Sequence, residues 1–182
     1  MIPLGYMAKR VARQPGHFES KRVIEIYSVS HCISRDFADY VDFWKHNGFW
    51  FFNSPAAIRS FAEQNSISLD GTSLFYYEGY ELEFDGERWN PFKPAEFSTE
   101  VVEPSHKHLE GFDVVTFSVG TSPECSPLSC NSLADIVQTN EHCLFETFEE
   151  AKVALENGTF IDSDPGPYRI YAVNSLDWPE QP

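Results

Sequence analysis

Residues 143–155 read CLFETFEEAKVAL, and residues 50–62 read WFFNSPAAIRSFA, which aligns with them without a gap at an offset of 93. Each stretch starts with a short aromatic run and continues into a helix-start signal. Thr147 and Glu150 have the spacing of a capping box, and Ser54 precedes a proline at the first helical position. Each stretch therefore predicts a short strand that leads into a helix with one apolar face.

The flanking sequence extends this match in both directions. IYSV at 26–29 aligns with TFSV at 116–119 at an offset of 90, and ADYV at 38–41 aligns with ADIV at 134–137 at an offset of 96. We predict strands at 23–29, 49–52, 74–84, 112–119, 143–145 and 168–173, and helices at 35–46, after Ser54, at 132–137 and after Thr147. The order strand–helix–strand–helix–strand thus occurs in two similar halves, residues 22–84 and 111–176.

Residues 85–110 separate the two halves and contain three prolines and many charges, which is typical of a linker on the surface. Each half has only about 60 to 70 residues, a size that is marginal for independent stability. We therefore predict that both halves share one core. The expected architecture is a single compact domain over residues 1–182, of the α+β class, with a mostly antiparallel sheet.

Composition restricts the class of protein. The chain has 182 residues, of which 42% are hydrophobic and 15% aromatic, and this argues against disorder. No apolar run approaches the ~20 residues that a transmembrane helix needs. Met1–Arg22 lacks the features of a secretory signal, so we expect a cytoplasmic protein. In that compartment the four cysteines are expected to be reduced thiols: Cys32, Cys125, Cys130 and Cys143.

The distribution of charge suggests the kind of partner. The formal net charge is −15, but the first 22 residues carry +4, so the remainder carries −19. This balance disfavours nucleic acid and anionic membranes, because both require clustered Lys and Arg. It favours a basic protein partner. We predict an acidic interface at Glu81, Glu83 and Asp85, which alternate with apolar residues along the strand 74–84.

The residues best suited to binding or catalysis lie in the loop 122–131, SPECSPLSCN, which joins a predicted strand to a predicted helix. Its candidate ligand-binding residues are Ser126, Ser129, Cys130 and Asn131. The alternative is a structural loop whose hydroxyls bond to their own backbone. Arg169 lies in the last predicted strand, where it would pair with an acid on the sheet. If that strand lines a cleft with the loop, Arg169 could instead bind a carboxylate or phosphate.

Several reaction classes lack their motifs in this chain. There is no glycine-rich phosphate loop, no His-Glu-x-x-His and no Gly-x-Ser-x-Gly. A zinc site built from Cys125, Cys130, His142 and Cys143 is disfavoured, because adjacent His142 and Cys143 would point to opposite faces of a strand. We predict no metal and no cofactor.

Three runs carry a resemblance: SPLSCN at 126–131, HCLFETFEEA at 142–151 and PGPYRIYAV at 165–173. Together they resemble a family of small bacterial proteins for which no activity is known, and the similarity covers roughly residues 111 to 175. The resemblance implies a bacterial cytosolic origin. It implies no reaction and assigns no role to any residue.

Three functional hypotheses follow. The first is an acidic protein-binding module, such as an inhibitor of the immunity-protein or antitoxin type that caps a basic bacterial effector. The alternative is a small enzyme or ligand-binding protein that uses the loop 122–131 and Arg169. The third is a subunit of a homo-oligomer in which the aromatic segments 49–52 or 74–80 form an exposed strand edge.

Overall fold

The computed structural model describes residues 1–13, 16, 18–19, 21–30, 33, 35–36, 47–92, 100–116 and 125–180. The strands are β1 (Ile2–Arg10), β2 (Arg35–Asp36), β3 (Ser73–Gly79), β4 (Leu82–Phe84), β5 (Trp89–Pro91), β6 (His108–Thr116) and β7 (Tyr168–Leu176). The helices are α1 (Pro55–Gln64), α2 (Pro127–Cys130), a 3₁₀ turn (Leu133–Asp135) and α3 (Phe148–Glu156).

One antiparallel sheet holds these strands together. Its order is β2-β1-β3-β7, and β6 pairs with β7 along most of its length. The short strand β4 joins the end of β7 through Phe84 and Tyr168, and β5 pairs with β4. The chain is therefore an α+β body with a mostly antiparallel sheet, which confirms the prediction at that level.

The strand β1 lies in the basic segment 1–22, for which the sequence analysis predicted no strand. It pairs with β3 from Ile2 to Lys9, and Leu4, Tyr6, Met7 and Ala8 are buried. The predicted linker 85–110 was also partly wrong, because it contains β5 and the first residues of β6. The first error comes from reading the charge of the segment 1–22 and not the apolar residues between Ile2 and Ala8.

Two helices follow from their capping residues. Ser54 Oγ accepts a hydrogen bond from the Ala57 amide, and Pro55 occupies the first turn of α1. Thr147 and Glu150 form a complete capping box at the start of α3. These interactions satisfy amides that have no partner within the helix. The sequence prediction of α1 and α3 is confirmed.

Other predicted elements were wrong. The segments 49–52 and 143–145 are loops, in which only Phe52 and Phe145 form isolated bridges, to Tyr6 and Phe112. The segment 23–29 likewise makes only a bridge at Glu25. Residues 35–36 are β2 rather than the start of a helix, and the rest of that predicted helix, 37–46, lies outside the described residues. The predicted helix 132–137 is reduced to a 3₁₀ turn, since Ser132 has a φ of 56° and makes no side-chain cap.

One asparagine organises each of the two aromatic loops. Asn47 Nδ2 donates to the Leu4 carbonyl at 2.8 Å, and its Oδ1 accepts from the amides of Phe49 and Phe51 at 3.1 and 3.3 Å. Because these bonds close a tight loop, Trp50 adopts a φ of 66°. Backbone geometry set by a side chain thus overrides the strand propensity of the aromatic run.

Asn140 makes the same set of bonds in the second loop. Its Nδ2 donates to the Glu110 carbonyl at 2.7 Å, and its Oδ1 accepts from the amides of His142 and Leu144 at 3.0 and 3.1 Å. Cys143 has a φ of 63°. The positions of Asn47 and Asn140 differ by the offset of 93 seen in the sequence.

A glycine in β1 and another in β6 let the two loops approach the sheet closely. Gly5 in β1 has a φ of 131° and Gly111 in β6 has a φ of 147°. A Cβ at Gly5 would lie 2.6 Å from the Phe52 carbonyl oxygen, and a Cβ at Gly111 would lie 2.6 Å from the Phe145 carbonyl oxygen. Both glycines stand at an irregularity in the strand register, as expected for a bulge.

The location of the aromatic segments contradicts the proposed oligomer edge. β3, which contains most of segment 74–80, lies inside the sheet and pairs with β1 on one side and β7 on the other. Phe49, Phe51 and Phe52 are buried in the core. Neither segment therefore presents an open strand edge.

Candidate functional site

The described part of the serine and cysteine loop, residues 125–131, is built into the core. The side chains of Ser126 and Ser129 are fully buried, whereas Asn131 is exposed. Ser126 Oγ donates to Asp113 Oδ1, and Ser28 Oγ donates to Ser129 Oγ at 2.8 Å. These hydroxyls are thus engaged by side chains from other segments, and only Ser129 Oγ also donates to the backbone of its own loop, at the Ser126 carbonyl. Residues 122–124 of the predicted loop lie outside the described part of the chain.

Two of the four cysteines depart from the prediction of reduced thiols, and Cys32 lies outside the described residues. Cys125 and Cys130 form a disulfide, and both are half-buried. Cys143 is free, and burial raises the pKa of its thiol. Four residues separate the paired cysteines in the sequence. The turn of α2 brings the two cysteines together.

Asp113 on β6 is the most unusual ionisable group of the site. Its carboxyl is fully buried, accepts from Ser126 at one oxygen and accepts from the Val29 amide at 2.7 Å at the other. Burial raises its pKa to about 7, although both hydrogen bonds and the charge of Lys9 act in the opposite direction. Burial prevails because it removes the carboxylate from water.

Lys9 on β1 is also fully buried. Its ammonium group donates to the Ser28 carbonyl at 2.8 Å and lies 5.8 Å from the centre of the Phe75 ring. The segment 28–30 therefore connects a buried cation to a buried carboxyl. The sequence analysis missed Lys9 and Asp113, because nothing in a single sequence marks these residues as buried.

Arg169 shares a face of the sheet with Asp113. Tyr171 lies opposite Asp113 in the β6–β7 register, and Arg169 is two residues before it, so the three side chains lie on one face. Arg169 is 4% exposed, its Nη2 is 3.4 Å from Glu83 Oε2 and its guanidinium stacks on Phe92. Burial lowers its pKa to about 10. The predicted pairing of Arg169 with an acid on the sheet is confirmed.

The three residues predicted as an acidic interface have different roles. Glu83 pairs with Arg169, and Glu81 is exposed. Asp85 accepts from the amides of Glu87 and Arg88, both at 2.9 Å, and from the Asn90 side chain. These hydrogen bonds lower the pKa of Asp85 to about 2. Asp85 therefore stabilises the β4–β5 turn as an anion.

An acidic cleft lies between that turn and the end of α3. We use this name for the space of about 340 Å³ lined by residues 84–87, 155, 158, 160–161, 165–166 and 168. Trp89 Nε1 donates to Glu156 Oε1 at 2.8 Å and joins the two walls. Ile161 at its mouth is 77% exposed. The sequence analysis did not select Glu87, Glu156 or Asp162 as interface residues, although the stretches 81–90 and 146–164 are rich in carboxylates.

A second cluster was missed as a site, because its members come from distant segments. The His142 ring is stacked on Tyr27 at 4.0 Å between centroids, and His142 Nε2 is 3.5 Å from Glu110 Oε2. His142 Nδ1 is 4.0 Å from Glu25 Oε2, which accepts a hydrogen bond from the Tyr27 hydroxyl. Burial, together with this hydrogen bond, raises the pKa of Tyr27. The cluster fastens the segment 21–30 to the sheet.

Within the described ranges, no group of three or more His, Cys, Asp and Glu side chains has an arrangement that could hold a metal ion. None of the helices described is long and apolar enough to cross a membrane. Comparison of the chain with protein-family models, with curated proteins and with solved structures found no match. Function must therefore be argued from the geometry of the chain itself.

Proposed function

We propose that the chain is a binding module whose acidic cleft receives a basic segment of a partner protein, in the manner of an immunity protein or antitoxin. The observation that carries this proposal is the combination of an apolar floor with an acidic rim. The floor contains Phe84, Leu155 and Phe160, and the rim contains Asp85 and Glu87. A long basic side chain suits such a cleft, because its hydrocarbon stem packs on apolar surface while its charged end reaches carboxylates.

The charge around the cleft supports this choice of partner. Residues 81–90 and 146–164 together contain ten carboxylates and two basic residues. The basic residues are partly neutralised locally: Arg88 Nε is 3.5 Å from Asp85 Oδ2, and Lys152 Nζ is 3.9 Å from Glu156 Oε1. A surplus of negative charge therefore remains to steer a basic protein to this surface, and the attraction weakens with salt.

The double substitution Glu87→Lys and Asp162→Lys tests this proposal. Both residues are exposed, and in neither does the side chain support a described turn, so folding should be unaffected. We expect at least a tenfold loss of affinity for the basic protein recovered with the wild-type chain from its source lysate, since like charges would then meet across the interface. Titration calorimetry at several salt concentrations measures the change.

The matched control is Glu63→Lys and Asp70→Lys, which alters the same number of exposed acids at and beyond the end of α1. This variant should bind within about twofold of the wild type after correction for net charge at high salt. Equal losses in both variants would contradict a local site and leave only a general charge effect. Salt-independent binding would contradict the proposal altogether.

We also propose that the two halves arose from one repeated unit. Support comes from the equivalent asparagine loops, from Gly5 and Gly111, and from the order of a long strand, loop, helix and long strand in each half. The match includes β1, so the first unit would begin near residue 2 rather than 22. β3 and β7 then pair with each other as equivalent strands, with Tyr77 opposite Val173.

Asn47→Ala and Asn140→Ala test this equivalence. Each substitution removes three side-chain hydrogen bonds to backbone and leaves buried groups without partners. We expect each to lower the free energy of unfolding by about 2–4 kcal/mol. Urea denaturation measures both values, and Asn131→Ala, at an exposed position, should change stability by less than about 0.5 kcal/mol. Loss at only one asparagine would contradict equal roles.

A bacterial origin and a cytoplasmic location are part of the same proposal. The compartment can be tested directly, because the oxidation state of Cys125 and Cys130 in intact cells reports on it. Trapping thiols with an alkylating reagent before lysis distinguishes the two states. Full oxidation in cells would contradict a reducing compartment.

A further inference from the structure

We infer that a second site, a groove between residues 102–108 and the end of β7, binds a small organic cation whose ammonium group is attached to an apolar body. The groove has a volume of about 860 Å³, and residues 175–179 form its other wall. Such a volume is typical of sites for small molecules. The groove shares no residue with the acidic cleft, so the inference is independent of the proposed function.

The floor of the groove is apolar. Tyr6 and Leu74 are buried residues of the neighbouring strands β1 and β3, and Pro55 adds the start of α1. Val102 lies on the first wall and is exposed. A ligand with an apolar body would cover this surface and remove it from water, which is favourable.

Hydrogen bonds fix the first wall to the rest of the fold. The Tyr6 hydroxyl donates to the Val102 carbonyl, and the Val102 amide donates to the Asn53 carbonyl at 3.1 Å. Further along the wall, Lys107 Nζ is 2.6 Å from Glu78 Oε2. The wall is therefore in place before a ligand arrives, and binding does not have to pay for ordering it.

Trp178 supplies an aromatic surface on the second wall. It borders the groove on one side and a smaller cleft on the other, and Arg59 lines only the smaller cleft. The Arg59 guanidinium lies 5.3 Å from the centre of the Trp178 ring and also donates to the Pro179 carbonyl. Trp178 Nε1 donates to the Thr72 carbonyl at 3.1 Å, which fixes the ring. Tryptophan is the best aromatic partner for a cation, so the side facing the groove suits an ammonium group.

The charges of the lining favour a cation over an anion. With histidines counted as neutral, the lining contains two carboxylates, Glu103 and Asp177, and one cation, Lys107. Lys107 is paired with Glu78, whereas neither carboxylate has a basic partner within the part of the chain that the structure describes. Both carboxylates are exposed. The groove therefore attracts an ammonium group and repels a carboxylate or phosphate.

Two tyrosines connect the Glu103 carboxylate with the aromatic floor. The rings of Tyr6 and Tyr76 are 5.0 Å apart between centroids, and burial together with the charge of Glu103 raises the pKa of Tyr6 to about 12. Tyr76 is fully buried beside Tyr6, and among the described residues its hydroxyl has no hydrogen-bond partner. This end of the groove is therefore rich in oxygen acceptors and short of donors, which suits an ammonium group.

The test uses the full chain and three probes that share a phenyl ring and differ in charge: phenethylamine, phenethyl alcohol and phenylpropionate. Titration calorimetry measures affinity, and the NMR signal of the Trp178 indole reports where the probe binds. We expect phenethylamine to bind roughly tenfold more tightly than the neutral alcohol, because it adds cation–π and ionic attraction to the same apolar contact. Phenylpropionate should bind more weakly than the alcohol.

The double substitution Glu103→Gln and Asp177→Asn removes both uncompensated charges from the lining. It should weaken the binding of phenethylamine roughly tenfold and leave that of phenethyl alcohol unchanged, which a general structural defect would not do. The matched control is Glu100→Gln with Glu180→Gln, which neutralises two exposed carboxylates next to the groove but outside its lining. This control should bind phenethylamine within about twofold of the wild type.

Four results would overturn the inference. The first is that no probe binds at millimolar concentration, and the second is that the Trp178 indole signal does not move with phenethylamine. The third is that phenethyl alcohol or phenylpropionate binds as tightly as phenethylamine, because the groove would then not recognise positive charge. The fourth is an equal loss of affinity in the two double variants.

Discussion

Gly111→Ala should lower the free energy of unfolding by roughly 3–5 kcal/mol, because backbone strain and a steric clash act together. The φ of 147° is unfavourable for any residue with a Cβ, and that Cβ would lie 2.6 Å from the Phe145 carbonyl oxygen and 2.9 Å from Leu144 Cβ. Neither neighbour can move freely, since the loop is closed by Asn140. Urea denaturation measures the loss, and Gly5→Ala should produce a similar one.

Gly86→Ala is the matched control. Gly86 also has a positive φ, 102°, but a Cβ there would meet nothing within 4 Å. Its substitution should cost only the strain, about 1–2 kcal/mol. If Gly111→Ala costs no more than Gly86→Ala, the close approach of the loop to β6 is not what requires glycine.

The wild type should lose stability between pH 4 and pH 8 because Asp113 ionises, and the substitution Asp113→Asn should abolish this loss. The pKa of Asp113 rises on folding from its ordinary value of 3.8 to about 7. The folded chain therefore holds a proton that the unfolded chain releases, and this contribution is complete below pH 3.8 and lost as the pH rises through 7. A shift of this size corresponds to a loss on the order of 4 kcal/mol. Asparagine cannot ionise and should show no such loss.

Urea denaturation at several pH values measures this difference between variant and wild type. Asp85→Asn provides a control of opposite sign, because hydrogen bonds in the β4–β5 turn lower the pKa of Asp85 to about 2. Its contribution to stability is present above pH 3.8 and lost as the pH falls towards 2. A constant difference between Asp113→Asn and the wild type from pH 4 to pH 8 would contradict an Asp113 carboxyl that is protonated below neutrality.

Local signals in the sequence predicted those elements whose ends are chemically marked. Ser54 and Pro55 mark the start of α1, and Thr147 with Glu150 marks the start of α3. The aromatic loops were predicted as strands, because their shape depends on Asn47 and Asn140 bonding to strands far away in the sequence. The sequence analysis missed β1 because it considered the basic charge of the segment and not the apolar residues in the middle of the strand.

The candidate site was less accessible to sequence reasoning than the fold. The importance of the loop 125–131 could be recognised from its serines and cysteines, but its role could not, since that role depends on Asp113 and Val29. Lys9 illustrates the difficulty: an isolated lysine in a sequence is expected on the surface, yet here it is fully buried. Burial is a property of the whole fold and leaves no mark on a single residue type.

The pairing of β3 with β7 affects how the chain folds during its synthesis on the ribosome. Tyr77 finds its partner, Val173, only 96 residues later, and β1 and β3 have no complete sheet to join until β7 has emerged. Such sequence-distant pairing slows folding and leaves aromatic strands exposed on the nascent chain. Charge repulsion between nascent chains comes only later in synthesis, because residues 1–79 contain eight basic and eight acidic residues and the net negative charge lies beyond them.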